Sequence, residues 1–152
     1  MHKEDCIFCK ISKGEIPSQK IRENDEFYAF LDLSPNCKGQ TLVIPKEHYN
    51  SDLFDISDEK FYGRYMMAID TVVKLLKKSL WVIRVWIIME GMGVNHLHIK
   101  LYPMWGLDHE WSPIEDEEKV FFKQYPGFLT TKMWKALTQE ELAEIAKEIL
   151  WK

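Results

Sequence analysis

One run of seven residues constrains this chain more than any other: His96-Leu97-His98-Ile99-Lys100-Leu101-Tyr102. Polar and apolar side chains alternate there with a period of two, the pattern of a strand that covers a core with one face only. On such a strand His96, His98 and Lys100 share one side, and Leu97, Ile99 and Leu101 share the other. The apolar side demands a partner layer. The polar side sets three basic or nucleophilic groups in a row, each about 7 Å from the next. A neutral imidazole is a good nucleophile towards phosphorus, and a nearby ammonium stabilises charge on phosphoryl oxygens. The same ammonium opposes protonation of His98 and so keeps a ring nitrogen free to attack. Spacing alone also allows a plainer reading, the wet side of an edge strand.

Around this strand the pattern predicts an α+β fold in one domain over residues 1–152, with no repeat or Gly/Ser linker dividing it. Residues 20–23 and 27–32 read as two short strands joined by Asn24-Asp25, and residues 40–45 as a third. Residues 81–89 are nearly continuously apolar, which predicts a central strand covered on both faces, joined to 96–102 through Gly91-Met92-Gly93. A long helix starts at Ser57 and carries the stripe Phe61, Tyr65, Ile69, Val72, Leu76. A C-terminal helix opens on the capping box Thr138-x-x-Glu141 and buries Leu142, Ile145, Ala146, Ile149 and Leu150. The expected architecture is an antiparallel sheet of about five strands with one long helix and a C-terminal helix.

Charge and composition exclude several roles. Lys and Arg number 20 against 24 acidic residues, so no overall cationic field favours nucleic acid. No apolar run approaches the roughly 20 residues that cross a bilayer, and the N-terminus has no signal-peptide core, so neither membrane insertion nor secretion is expected. Three cysteines, two of them as Cys6-x-x-Cys9, suit cytoplasmic metal chemistry better than a disulfide framework. Residues 103–137 hold many aromatics and an acidic run of Asp108, Glu110, Glu115, Asp116, Glu117 and Glu118. Most such runs are solvated rims; a sharper reading puts this one at the mouth of the active site, where it disfavours polyphosphate leaving groups and tolerates amines.

The run at 96–102 resembles the signature of the histidine triad (HIT) superfamily, with Lys100 in the third His position. Cys6-Ile7-Phe8-Cys9-Lys10-Ile11, Gly14-Glu15-Ile16-Pro17, Ala29-Phe30-Leu31-Asp32-Leu33-Ser34-Pro35 and the stretch from Gly39 to His48 are similar to family segments in the same order. The match spans roughly residues 6–103 and leaves 104–152 as a divergent C-terminal extension. The resemblance implies a nucleotidyl hydrolase or transferase acting on a purine nucleoside monophosphate group. His98 would form a covalent nucleotidyl-histidine, Lys100 would stabilise charge, and His96 would orient the site or bind metal. It places the ribose hydroxyls on Asp32, a carboxylate able to accept from both; the plainer reading is a turn residue bonding its own backbone. The base would lie in a slot including Ile21, Phe30 or Leu33, and Asn95, Gly91 and Gly93 would contact phosphate.

Zinc-containing relatives suggest that His48 and His96 complete a four-ligand zinc site with Cys6 and Cys9. Its role would be structural, because four protein ligands leave no open position. A reduced cysteine pair packed as small hydrophobes is the alternative. Homodimerisation is a further expectation. Two rival functions stand beside the enzyme: a catalytically impaired nucleotide-binding protein, and a zinc-stabilised interaction module.

Overall fold

The computed structural model describes residues 3–112 and 136–150. Its five strands are β1 (Lys20–Glu23), β2 (Phe27–Leu31), β3 (Thr41–Pro45), β4 (Val85–Ile88) and β5 (Ile99–Pro103). They form one antiparallel sheet in the order β1-β2-β3-β5-β4. A short helix, α1 (Ile7–Ser12), precedes the sheet. The long helix α2 (Glu59–Leu80) lies between β3 and β4, and α3 (Gln139–Leu150) closes the described chain.

Local chemistry explains most of these boundaries. Asn24 Oδ1 accepts from the backbone N–H groups of Glu26 and Phe27 at 3.0 and 2.7 Å, which folds β1 back onto β2. The helix expected to start at Ser57 starts at Glu59 instead. Asp58 is its cap and accepts from Lys60 N–H at 2.9 Å. The capping box forms as the sequence predicts: Thr138 N–H donates to Glu141 at 2.8 Å and Glu141 N–H to Thr138 Oγ1 at 3.2 Å.

Two apolar layers sandwich the sheet. On one side Ala29, Leu31, Val43, Leu97, Ile99 and Leu101 meet the α2 stripe Phe61, Tyr65, Ile69, Val72 and Leu76; Leu142, Ala146 and Ile149 of α3 join the same core. On the other side Tyr28, Phe30, Leu42 and Ile44 pack with Phe8, Cys9 and Ile11 from the α1 region. The strands covered on both faces are therefore β2 and β3, which are buried throughout.

This corrects the assignment of residues 81–89. The strand there is β4, only four residues long and at the edge of the sheet, with Trp86 54% and Ile87 44% exposed. Trp81 caps α2 in the left-handed region and is 81% exposed. A continuous apolar run states that both faces tend to be covered, but not whether this chain or another molecule covers them. Leu150, expected in the helix stripe, is likewise half-exposed. Among the described residues no helix is long and apolar enough to cross a membrane.

Candidate active site and metal centre

The ladder of β5 begins at Ile99 rather than His96, so His96, in a bend, and His98 sit on the segment leading into it. The alternation survives: Leu97 joins the α2 core, while Lys100 pairs across the sheet with Leu42, whose side chain belongs to the α1 side. His98 and Lys100 line one cavity of about 250 Å3 together with Phe30, Asp32, Leu33 and Gly93. The expected nucleophile, the expected charge stabiliser and four of the expected nucleotide contacts thus line one cavity.

His98 is 5% exposed, with its ring 5.2 Å from that of Phe8 in an edge-on arrangement. Its Nδ1 lies 2.7 Å from the carbonyl oxygen of His96. A carbonyl can only accept, so Nδ1 carries the hydrogen and Nε2 keeps its lone pair. Burial lowers the His98 pKa below its ordinary value; the Lys100 charge adds to this, while the His96 carbonyl, Asp32 and Glu90 oppose it. Lys100 therefore acts in the expected direction, but desolvation is the larger cause. Lys100 is not a bare cation: its Nζ donates to Glu90 at 3.2 Å, both side chains being less than one-fifth exposed. Glu90 carries no local pattern that would have marked it.

Asp32 makes the expected turn bond and lines the cavity. Its Oδ1 accepts from Ser34 N–H at 2.9 Å, the turn bond, and its Oδ2 accepts from Gln40 Nε2 at 2.6 Å. Gln40 is itself buried and accepts from Asn36 N–H at 2.7 Å, so the carboxylate is oriented from behind while lining the cavity. Each oxygen retains capacity for a further donor. Gln40 escaped sequence reasoning because a lone Gln at the head of a strand has no signature.

Three expected contacts lie elsewhere. Ile21 points into the α2 core, since its place on β1 puts it on the opposite face from Phe30. Asn95 is committed to Ser51, accepting from its backbone N–H at 3.0 Å, and does not line the cavity. Gly91 packs on the same residue: at φ +73° a Cβ would come 3.0 Å from Ser51 O, so only glycine fits there. Ser51 thus anchors the loop before β5, leaving Gly93 at the cavity. Of the acidic run, Asp108 and Glu110 line a different hollow with Arg84 and Trp86 beside β4, and Glu115, Asp116, Glu117 and Glu118 lie outside the described residues.

Cys6, Cys9, His48 and His96 bring one ligand atom each to within 4.8 Å of all the others. Cys6 Sγ and Cys9 Sγ lie 3.3 and 3.6 Å from His96 Nδ1, and Cys9 Sγ lies 3.5 Å from His48 Nδ1. The edges of a tetrahedron with zinc–sulfur and zinc–nitrogen bonds of ordinary length are about 3.3–3.8 Å, so the donor set fits zinc. His96 Nε2 stands 2.9 Å from the carbonyl of Pro45, which makes Nε2 the N–H and turns the Nδ1 lone pair towards the sulfurs. Burial pushes the Cys9 thiol above its ordinary value. The cluster joins α1, the end of β3 and the segment entering β5. His96 belongs to it, while the backbone carbonyl of the same residue holds His98.

The sequence matches the family model described as HIT domain over residues 13–104, more than half of the chain. An adenosine 5′-monophosphoramidase of Schizosaccharomyces pombe is 35% identical over 127 residues, which cover 74% of this chain and 89% of that protein. The crystal structure of a hypothetical histidine triad nucleotide-binding protein from Sulfolobus tokodaii superposes with TM-score 0.72 at 26% identity, covering 96% of this chain and 90% of that one. A Zn-bound histidine triad family protein from Mycobacterium smegmatis superposes with TM-score 0.60 at 25% identity, covering 97% and 94%. Fold, motif segments and family model agree, and this chain belongs to the histidine triad (HIT) family.

Proposed function

We propose that this protein is a nucleotidyl hydrolase or transferase that acts on a purine nucleoside monophosphate joined to a leaving group through phosphorus. The observation that carries this reading is the His98 ring. It is buried, its Nδ1–H is bonded to the His96 carbonyl, and it lines one cavity with Lys100 and Asp32. In the first step a bond forms between His98 Nε2 and phosphorus as the bond to the leaving group breaks, with the electron pair departing on that group. Nδ1–H stays bonded to the His96 carbonyl, which stabilises the charge gained by the ring. Lys100, standing in the third His position of the motif, offsets charge on the phosphoryl oxygens. Water then displaces the imidazole. The nucleoside monophosphate is released, and the proton lost by water balances the one taken up by the leaving group. The S. pombe relative supports an amine as one such group.

The Glu90–Lys100 pair favours a second reading, a nucleotide-binding protein with little turnover, because the ammonium already has a counter-charge. A steady-state assay of wild type, His98→Ala and Lys100→His on a nucleoside phosphoramidate and a dinucleoside polyphosphate separates the two. Wild-type turnover that disappears with His98 marks an enzyme; turnover gained only in Lys100→His marks an impaired one.

In the same reading Asp32 accepts from both ribose hydroxyls. Asp32→Asn replaces one acceptor by a donor and is expected to weaken nucleoside monophosphate binding by about tenfold, the worth of one charge-assisted hydrogen bond. Titration calorimetry with the ribonucleotide and its 2′-deoxy form checks this. The preference for ribose should shrink in the variant, and an unchanged preference removes Asp32 from the ribose site.

The zinc reading gives Cys6, Cys9, His48 and His96 a structural ion that ties α1 to the catalytic strand. Three free cysteines and this donor set fit a reducing compartment, the cytoplasm. For β4, the edge strand among the described residues, with Trp86 and Ile87 exposed, we propose a second copy of the chain as cover. Light scattering on the eluting protein should then give twice the 18.1 kDa chain mass, with Ile87→Lys shifting it to the single mass. A wild-type monomer at tens of micromolar overturns the dimer.

A further inference from the structure

The cavity that holds His98 and Lys100 has a wall that no motif segment supplies. Gln139 and Leu142 of α3 line it, opposite Gln19 at the entrance to β1. Both α3 residues lie beyond the part of the chain matched by the family model, which ends at residue 104. The two glutamines are 120 residues apart, and Gln19 Nε2 donates to Gln139 Oε1 at 3.1 Å.

A primary amide carries one acceptor oxygen and one nitrogen with two hydrogens. A single bond between two such amides uses one oxygen and one hydrogen. The oxygen of Gln19 and the nitrogen of Gln139 remain available, an acceptor beside a donor; flipping both amides exchanges the roles and leaves the same pair.

Both glutamines are held in place from behind. Leu31 N–H donates to the Gln19 carbonyl at 3.0 Å, and Leu137 N–H to the Leu33 carbonyl at 2.9 Å, next to Asp32. The capping box fixes the first turn of α3, Leu142 and Ile149 are buried in the main core, and Ser79 Oγ donates to the Ile149 carbonyl. Ile11, Ile16 and Leu33 supply apolar lining to the same cavity. An apolar slot holds a base but distinguishes bases poorly, whereas a paired donor and acceptor distinguishes them well.

Resting on the nucleotide reading above, we infer that Gln19 and Gln139 read the amino-bearing edge of the nucleobase. The free carboxamide oxygen accepts from an exocyclic amino group, and the free N–H donates to the adjacent ring nitrogen. On the Watson–Crick edge of a purine this is the pattern of adenine, since guanine's N1 there carries a hydrogen.

The test compares Kd for adenosine 5′-monophosphate with Kd for the 5′-monophosphate of purine riboside, which lacks the amino group. Calorimetry on wild type, Gln19→Leu and Gln139→Glu gives both values. The glutamate at 139 still accepts from Gln19, so it keeps the tie and the free Gln19 oxygen and loses only the donor to the ring nitrogen, which both ligands carry. Both ligands have the same charge, and the added carboxylate therefore cancels in the ratio. Wild type should prefer the adenine nucleotide by about fivefold, the worth of one hydrogen bond. Gln19→Leu should bring the ratio close to one, and Gln139→Glu should weaken both ligands while keeping the ratio. A wild-type ratio near one, a ratio that survives in Gln19→Leu, or binding unchanged by Gln139→Glu overturns the base-reading role and leaves the nucleotide site intact. Failure of the wild type to bind either nucleotide removes the nucleotide reading, and this inference with it.

Discussion

Replacing His98 by alanine is expected to lower kcat/KM for a nucleoside phosphoramidate by at least about a thousandfold, roughly 4 kcal/mol of transition-state stabilisation. The proposed reaction divides a slow displacement by water into two displacements at phosphorus, and both need a lone pair on Nε2. No other group on that side of β5 supplies one: Lys100 is a cation paired with Glu90, and His96 turns its Nδ1 towards Cys6 and Cys9. Binding of the nucleoside monophosphate should change by no more than about threefold, because Asp32, Phe30 and Leu33 are untouched. The contrast between a large kcat effect and a small Kd effect separates loss of a nucleophile from loss of the fold. His98→Asn adds a second control, since its amide nitrogen can still donate to the His96 carbonyl while offering no nucleophilic nitrogen. Intact-mass analysis of acid-quenched turnover mixtures should show a nucleotidyl adduct on wild type and none on either variant. Activity within tenfold of wild type in His98→Ala, or an adduct that persists in it, would assign the attack to another group.

The parts of this site that were legible in the sequence are those written in local periods. Strict alternation at 96–102 placed His98 and Lys100 on the side of the sheet away from Leu97 and Ile99, and the helical spacing from Phe61 to Leu76 marked the layer those two side chains meet. Cys6-x-x-Cys9 is a local spacing as well, completed by His48 and His96 in the geometry. What stayed hidden is set by residues distant in the chain. Glu90 meets Lys100 only because the loop anchored on Ser51 brings it there. Gln40 reaches Asp32 across a turn, and Gln19 reaches Gln139 across most of the chain. Asn95, polar and close to the strand, suited a phosphate contact equally well until its bond to Ser51 was seen. The misreading of β4 has a different origin: composition reports how much apolar surface a strand carries, and an exposed edge strand can have the same composition as a strand buried by its own chain.

Disrupting the candidate metal centre should cost about as much stability as truncating a large core side chain. Cys9 is 1% and His96 0% exposed, so the site lies inside the layer that joins α1 to the sheet, and Phe8 packs edge-on against both His96 and His98 from the same helix. With zinc bound, the four ligands cross-link segments some 90 residues apart in sequence, Cys6 to His96 being the longest span. Binding free energy at such a site appears as folding free energy, because the unfolded chain does not hold the ligands together. The sheet and the α2 core remain without it, so the loss is partial: about 3–5 kcal/mol, or roughly 10 °C or more in Tm for a domain of this size. Cys9→Ser should therefore purify with little zinc and melt well below wild type, and treating wild type with a strong chelator should move its Tm towards that of the variant. Metal content measured on the same samples ties the two effects together. Activity offers a second readout. The His96 carbonyl orients His98 and its ring would be a zinc ligand, so the metal-free protein should lose kcat as well as Tm. A wild type that contains no zinc after growth in zinc-supplemented medium, with a Cys9→Ser variant melting within about 2 °C of it, would reduce the four residues to a packed core cluster and leave the orientation of His98 to Phe8 and the sheet alone.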